Sequence, residues 1–364
     1  MNEEVQLLFD LVSAQSFSGS EQPAAEVVVR HADSFGFETE IDEVGNAIAH
    51  RGASADDAEV HIVLLGHIDT VPGDIPVRIE DGILHGRGSV DAKGPLAAML
   101  IAASRVELPD GVRLTVAGAV GEEAPGSIGA RHLVEQWRPD ACIIGEPSSA
   151  QGVTLGYKGR LLARVAAECP NTHSAGKDPS ASDELFAWWG VVGQRVDAFN
   201  ARPTRAFDQI QASIQGMSSS CDGLTQQAIL ETGFRLPPTM GPDELIALLE
   251  SLPSERITIE FSGAEYAHAS TRNDPVVRAL SSAIRSLGFT PRPKLKTGTA
   301  DLNVVAPIWQ CPIAAYGPGD SSLDHTPIEH LHLDEYAQSI EVLIRAINTL
   351  ACELVESKAT IQSV

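Results

Sequence analysis

One apolar segment constrains the fold of this chain more than any other stretch. Val60–Gly66 reads Val-His-Ile-Val-Leu-Leu-Gly, and its β-branched residues predict a buried strand. His67-Ile68-Asp69 follows directly. Because side chains two residues apart leave a strand on the same face, His67 and Asp69 point together beyond its carboxyl end, where open α/β sheets bind ligands. An imidazole and a carboxylate at such a place indicate a metal site.

The pattern on either side of this segment predicts an α/β domain with an inserted module. Up to residue 156, predicted strands alternate with helices, which favours a central, mostly parallel sheet. From Tyr157 the order changes to β-α-β-β-α-β, which is typical of a ferredoxin-like α+β unit. The predicted division is therefore a domain of residues 1–156 and 264–364, interrupted by a second domain of residues 157–263. The predicted strands are 37–41, 45–50, 60–66, 112–120, 141–145, 160–167, 207–215, 227–235, 256–262 and 313–315.

The charge and the cysteine content exclude several functional classes. The formal net charge of −23 disfavours nucleic acid or an anionic membrane as a partner. The 5 cysteines are scattered without a Cys-x-x-Cys pair, and the N-terminus lacks the basic region of a secretory signal. We therefore expect a cytoplasmic protein. The acidity has two explanations that stay open, a very salty cytoplasm and an ordinary acidic surface.

Further acidic and imidazole side chains follow other predicted strands or glycine-rich turns. They are Asp91, Glu122-Glu123, Glu146 and His325. Taken singly, each has an ordinary explanation as a helix cap, a solvated pair or a loop residue. Taken together with His67, they form a mixed nitrogen and oxygen set without cysteine, which suits two divalent ions such as Zn²⁺. One carboxylate of the adjacent glutamate pair is then free to act as a base on a hydrolytic water.

In this order and on these strand ends, the motifs resemble the M20 family of di-zinc amidohydrolases, and the resemblance covers nearly the whole chain. It implies two Zn²⁺ per subunit, with Co²⁺ as the alternative, and a general base at Glu122. It also implies that Asp69 accepts a hydrogen bond from His67 and so orients the ring. The implied ligands are His67 and Glu146 for one ion, Glu123 and His325 for the other, and Asp91 as the bridge.

The inserted module resembles the lid and dimerisation domain of that family. His173, in Thr172-His173-Ser174-Ala175-Gly176, matches the histidine that family dimers offer across the interface to the oxyanion. Arg235 matches the lid arginine that binds a substrate carboxylate through two parallel hydrogen bonds. Gly298 and Gly317 are predicted to line the substrate pocket through their backbone N–H groups.

Several strings resemble one branch of the family more than the others. They are Gly66–Gly73, Gly145–Ser148, Thr154–Arg160, Lys296–Asp301 and Tyr316–Ser322. That branch releases lysine or ornithine from an amino-group carrier protein, so the resemblance implies the carrier conjugate as substrate and a homodimer as the assembly. The alternatives are a deacetylase of N-acetylornithine or N-acetyl-lysine, a small-peptide peptidase, and a catalytically silent binding protein on the same scaffold.

Overall fold

A computed structural model describes residues 1–173, 175–252 and 255–362 of the chain. These residues pack into two compact units. The first contains Met1–Gly156, Ser270–Leu295 and the chain from Val304 onward, and the second contains Tyr157–Ala269 with Lys296–Asn303. The second unit therefore runs beyond residue 263, where the sequence places its end, and it takes in a short later segment. Of the predicted His173 motif, Ser174 lies outside the described residues.

The helices and strands are numbered here in chain order. The helices are α1 (Glu3–Ser13), α2 (Gln22–Ser34), α3 (Lys93–Arg105), α4 (Ile128–Gln136), α5 (Ala181–Asn200), α6 (Pro242–Glu250), α7 (Pro275–Ser286), α8 (Asp301–Trp309) and α9 (Leu333–Gln362). The strands are β1 (Glu38–Ile41), β2 (Ala47–Gly52), β3 (Val60–His67), β4 (Arg78–Glu80), β5 (Ile83–His85), β6 (Val112–Ala119), β7 (Ala141–Gly145), β8 (Gly152–Tyr157), β9 (Gly159–Pro170), β10 (Gln211–Cys221), β11 (Thr225–Leu236), β12 (Ile257–Glu265), β13 (His268–Ala269), β14 (Arg292–Lys296), β15 (Ile313–Ala315) and β16 (His330–His332). None of the described helices is both long enough and apolar enough to cross a membrane.

The first unit is built on a central sheet with the order β1-β2-β6-β3-β7-β15-β8, and β14 pairs with β8. Its middle strands β6, β3, β7 and β15 are parallel neighbours, while β1, β2 and β8 pair antiparallel at the margins. The predicted α/β class with a mostly parallel central sheet is thereby confirmed. β3 is buried along nearly its whole length. The run of Val60–Gly66 is apolar because both faces of this strand are shielded from solvent.

Three glycines at the same level of neighbouring strands bring a helix close to the sheet. Gly66 in β3 lies in register with Gly118 in β6 and with Gly145 in β7. A Cβ atom at Gly66 would lie 3.2 Å from the Cβ of Leu96, and one at Gly145 would lie 2.9 Å from the sulfur of Met99. Glycine therefore lets α3 pack directly on the sheet. This packing matters for the site because Asp91 lies in the turn two residues before that helix begins.

The second unit contains a four-stranded antiparallel sheet with the order β10-β11-β9-β12. Its elements follow one another as β-α-β-β-α-β, as the sequence predicts for this segment. Alternate residues of β9 are buried and join a separate apolar core with α5 and α6. The start of β10 differs from the predicted residue 207: Phe207 lies in a 3-10 turn, Ala206–Asp208, and the strand begins at Gln211. The ion pair between Arg205 and Asp208 closes that turn.

Candidate metal centre

The five predicted ligands all belong to the first unit, and four of them follow strands of its central sheet. His67 ends β3, Glu123 follows β6, Glu146 follows β7 directly, and His325 lies in the loop after β15. Because the carboxyl ends of these parallel strands lie at one edge of the sheet, the four side chains share that edge. Asp91 reaches it from the turn before α3.

Asp91 lies between the two histidines and directs one oxygen to each. Its Oδ1 is 3.2 Å from Nε2 of His67, and its Oδ2 is 3.1 Å from Nε2 of His325. Glu123 Oε1 lies 3.0 Å from Nε2 of His325, and Glu146 Oε1 lies 3.9 Å from Nε2 of His67. The set therefore has two halves that share Asp91, which is the arrangement that two ions with a bridging carboxylate require.

The electrostatics of this set favour cations. Hydrogen bonds to Asp91 and Glu123 raise the pKa of His325 to about 10. Burial opposes protonation of His67, but hydrogen bonds to Asp69 and Asp91 raise its pKa well above the ordinary value. Burial likewise opposes ionisation of Asp91, but hydrogen bonds from His325 and His67 outweigh it and lower the Asp91 pKa. A cluster that draws protons onto both imidazoles also attracts divalent ions, whose binding displaces those protons.

The ligand atoms are close enough to act together. One ligand atom from each of His67, Asp91 and Glu123 lies within 4.8 Å of the others. His67 is 2% exposed, so its side chain is enclosed by the protein, whereas the His325 side chain is 51% exposed. The donor set fits a divalent metal because it combines carboxylates with imidazoles, which bind a metal in their neutral form. The set lies at a buried edge of the sheet that is open to solvent on the side of His325.

Asp69 uses its backbone and its side chain for different contacts. Nδ1 of His67 lies 3.0 Å from the backbone carbonyl of Asp69 and 3.4 Å from its Oδ1. Of these two atoms the carbonyl is therefore the closer acceptor for the His67 ring. The buried carboxylate accepts hydrogen bonds from the amides of Glu122 at 3.1 Å and Glu123 at 3.0 Å, and from Ser18 Oγ at 2.7 Å. Asp69 thus fixes the loop that carries Glu122 and Glu123.

Glu122, the predicted general base, lies beside the ligands. It is partly buried, and its negative charge contributes to the raised pKa of His67. Sequence reasoning did not single out Ser18 or Glu329, whose side chains contact Asp69 and the Asp91 turn, respectively. The only signal for Ser18 was its place in a turn before α2. For Glu329 the only signal was its position in the sequence, four residues after His325.

The remaining predicted residues are divided between the units. His173, Arg235 and Gly298 belong to the second unit, where Arg235 donates a hydrogen bond to the Thr299 hydroxyl. His173 is exposed, and its Nδ1 accepts a hydrogen bond of 3.1 Å from the amide of Ala175. Gly317 is buried in the first unit, and its carbonyl accepts from the amide of Ser148 at 3.0 Å. Their contacts with a substrate stay predictions.

Comparison with known proteins adds independent information. Residues 63–349 match the sequence profile described as peptidase family M20/M25/M40. The chain is 44% identical over 352 residues to the "[LysW]-lysine hydrolase" of Deinococcus radiodurans, with 95% of this chain and 96% of that protein aligned. It is 39% identical over 348 residues to the "Putative [LysW]-lysine/[LysW]-ornithine hydrolase" of Thermococcus kodakarensis, with 96% of this chain and 92% of that protein aligned.

Solved structures show the same fold at lower identity. The M20 family metallo-carboxypeptidase Sso-CP2 from Sulfolobus solfataricus superposes with a TM-score of 0.78 at 17% identity, covering 97% of this chain and 100% of that one. The aminopeptidase PepT from Bacillus cereus gives a TM-score of 0.73 at 19% identity, covering 96% and 99%. At these identities the likeness establishes the architecture, and the chemistry has to be argued from the site.

Proposed function

This chain belongs to peptidase family M20/M25/M40, and on that premise we propose that it hydrolyses the amide joining lysine or ornithine to an amino-group carrier protein. The family resemblance predicted from the motifs is thereby confirmed. The single observation that carries the proposal is the position of Asp91. Each of its two carboxylate oxygens lies close to one of two imidazoles at the edge of the sheet. The substrate is inferred from the "[LysW]-lysine hydrolase" to which the chain is 44% identical.

We propose two Zn²⁺ ions as the metals, with Co²⁺ as the alternative. His67 and Glu146 would hold one ion, Glu123 and His325 the other, and Asp91 both, and the distances given above support this division. Bound divalent ions supply Lewis acidity at the amide carbonyl and at a water molecule. Which metal is used can be measured directly by elemental analysis of the purified protein.

The chain's own residues then handle the proton. Glu122 accepts a proton from the attacking water on a carboxylate oxygen and passes it to the leaving α-amino nitrogen. Its loop is held by the Asp69 carboxylate, so the base is positioned before substrate arrives. The attack is hydrolytic: the water oxygen bonds to the carbonyl carbon, and the carbon–nitrogen bond breaks.

Two residues of the second unit are proposed to contact the substrate. Nδ1 of His173 accepts a hydrogen bond from the amide of Ala175, so in the neutral ring the proton is on Nε2. Nε2 can then donate a hydrogen bond to the oxyanion. Arg235 would pair with a carboxylate of the substrate. Since His173 is exposed within its own chain, we further propose that a homodimer offers it to the neighbouring subunit's site. We place the enzyme in the cytoplasm with its carrier.

The test is a competition between substrates, with Glu122→Gln as the diagnostic variant. Mass spectrometry should show faster release from the carrier–lysine or carrier–ornithine conjugate than from N-acetylornithine or N-acetyl-lysine. In Glu122→Gln, kcat should fall by about 100- to 10,000-fold with the metal content unchanged, because the proton acceptor is lost. Glu135→Gln, an exposed glutamate of α4, is the matched control and should keep wild-type activity.

Two results would contradict the proposal at different levels. Faster turnover of the acetylated compounds would replace the carrier conjugate by a small N-acyl amino acid as substrate. Near wild-type hydrolysis by Glu122→Gln, with its metals bound, would show that another group acts as the base.

A further inference from the structure

A buried carboxylate outside the predicted ligand set lies directly behind the centre. Glu329 follows His325 by four residues and is 0% exposed. A carboxylate loses its hydration when it is buried, so it is stable there only when paired and hydrogen-bonded. The contacts of Glu329 therefore identify the part of the structure that depends on it.

All of those contacts are made with the turn that carries Asp91. Oε1 of Glu329 accepts hydrogen bonds from the amide of Val90 at 2.9 Å and from the amide of Asp91 at 3.1 Å. Its Oε2 lies 2.8 Å from Nη1 of Arg87. The turn lies between β5 and α3, where no strand neighbour receives these amides. One side chain thus accepts hydrogen bonds from three residues, Arg87, Val90 and Asp91, of the seven that lie between β5 and α3.

Two ligand-bearing segments are joined by this single group. Asp91 and Glu329 are 238 residues apart in sequence, and the hydrogen bond between them links the Asp91 turn to the chain just after His325. Asp91 and His325 are themselves in contact, with Oδ2 and Nε2 3.1 Å apart. The direction of the Asp91 side chain follows from its backbone, and its backbone amide is fixed by Glu329.

We propose that Glu329 is a positioning residue for the bridging carboxylate. By holding the amides of Val90 and Asp91, it keeps the Asp91 oxygens aimed at His67 and His325, and so sets the affinity of the centre for divalent metal. This inference rests on the metal-dependent function proposed above. It assigns Glu329 no contact with metal or substrate.

The test measures metal binding by the protein freed of metal, independently of any substrate. In Glu329→Gln, the amide nitrogen cannot accept a hydrogen bond, so either the turn amides or Arg87 lose their acceptor. We expect the dissociation constant for Zn²⁺, measured by competition with a chromophoric chelator, to rise by about 10- to 100-fold. The visible spectrum of the Co²⁺-loaded variant should also change, because the ligand geometry relaxes.

A matched control separates this effect from a general loss of stability. Asp274 also accepts backbone amides from two segments, with Val276 at 2.9 Å and Ile313 at 3.3 Å, but it lies at the start of α7 and contacts none of the five ligands. Asp274→Asn should lower the melting temperature while the Zn²⁺ dissociation constant stays within twofold of wild type. Should Glu329→Gln not fold, Glu329→Asp retains the charge but is too short to span both segments, and it should weaken Zn²⁺ binding.

The outcomes are separable. A folded Glu329→Gln or Glu329→Asp variant with wild-type Zn²⁺ affinity and an unchanged Co²⁺ spectrum would overturn the role of Glu329. Wild-type protein that binds no divalent ion would refute the proposed metal-dependent function itself, and this inference with it. Two tightly bound ions together with no hydrolysis of the carrier conjugate would refute only the proposed substrate.

Discussion

At the scale of single residues, the centre depends on groups that hold other groups in place. The Asp69 carboxylate is fully buried and directs both oxygens toward donors of other residues: Ser18, Glu122 and Glu123. Its backbone carbonyl lies 3.0 Å from Nδ1 of His67, which leaves Nε2 of that ring directed at Asp91. Asp69 therefore links a ligand histidine to the loop of the proposed base without needing to touch a metal.

This arrangement predicts that Asp69→Asn affects catalysis more than metal content. An asparagine amide nitrogen cannot accept the hydrogen bond of the Glu122 or Glu123 amide, so the loop shifts while the carbonyl contact to His67 remains. We expect kcat to fall by about 10- to 100-fold with metal still bound. Ser18→Ala, which removes only one donor, should have a smaller effect. Wild-type kcat in Asp69→Asn would show that the loop amides need no acceptor.

Whether each of these residues could be predicted depends on how far along the sequence its structural partners lie. His67 was identifiable because the period of two in a strand and the rule for carboxyl ends are local. Glu146 was identifiable in the same way, since it follows a short apolar strand. The Asp69 carbonyl and Glu329 were not identifiable, because their importance arises from tertiary contacts. For Glu329 these bridge 238 residues, and a glutamate in a loop has no sequence signal that marks it as buried.

At the scale of elements, the apolar patterns predicted most of the longer strands and helices, but one partly buried cluster was missed. His50 in β2 and His61 in β3 each lie 2.8 Å from the hydroxyl of Thr115 in β6, the strand between them. The hydroxyl can donate to one ring and accept from the other. Burial and the charge of Arg113 lower the pKa of both histidines to about 4. Strand patterns give no register, so this contact could not be predicted.

The cluster predicts an acid limit to stability. Both histidines have a folded-state pKa near 4, below the ordinary 6.5, so the unfolded chain binds more protons as the pH falls from 6.5 to 4. The free energy of unfolding should therefore fall across that window, by roughly 1–3 kcal/mol for each ring. Urea unfolding in the presence of a chelator measures this dependence.

Variants assign this pH dependence to the cluster. His50→Gln and His61→Gln should each flatten the fall between pH 6.5 and 4, because a glutamine does not titrate there. His332→Gln, which removes an exposed histidine in β16, is the matched control and should keep the wild-type slope. An unchanged slope in the double variant of His50 and His61 would assign the acid sensitivity to other groups.

At the scale of the whole molecule, the proposed chemistry is divided between two units that have separate apolar cores. The five ligands and Glu122 belong to the first unit, and His173 and Arg235 belong to the second. The first unit also closes on itself around the longer segment of the second unit, Tyr157–Ala269, because the amide of Ser270 donates to the carbonyl of Leu155 at 2.8 Å. The chain thus leaves and re-enters the first unit at adjacent points, as an insertion does.

This division predicts that the metal centre survives without the inserted unit while hydrolysis does not. A chain in which Gly156 is joined to Ser270 through two glycines should fold, because the two ends are already neighbours, and should bind Zn²⁺ within about tenfold of wild type. Without His173 and Arg235, its kcat/KM on the carrier conjugate should fall by at least about 100-fold. Elemental analysis and the conjugate assay measure the two properties separately.

The double variant of His173→Ala and Arg235→Ala in the full chain is the control, since it removes the same two groups and keeps the fold. It also replaces the shortened chain if that chain does not fold. A folded, shortened protein that binds no metal would mean that the ligands depend on the inserted unit. Retained hydrolysis in both proteins would mean that the first unit alone binds the substrate and stabilises its oxyanion, leaving the insertion without a catalytic part.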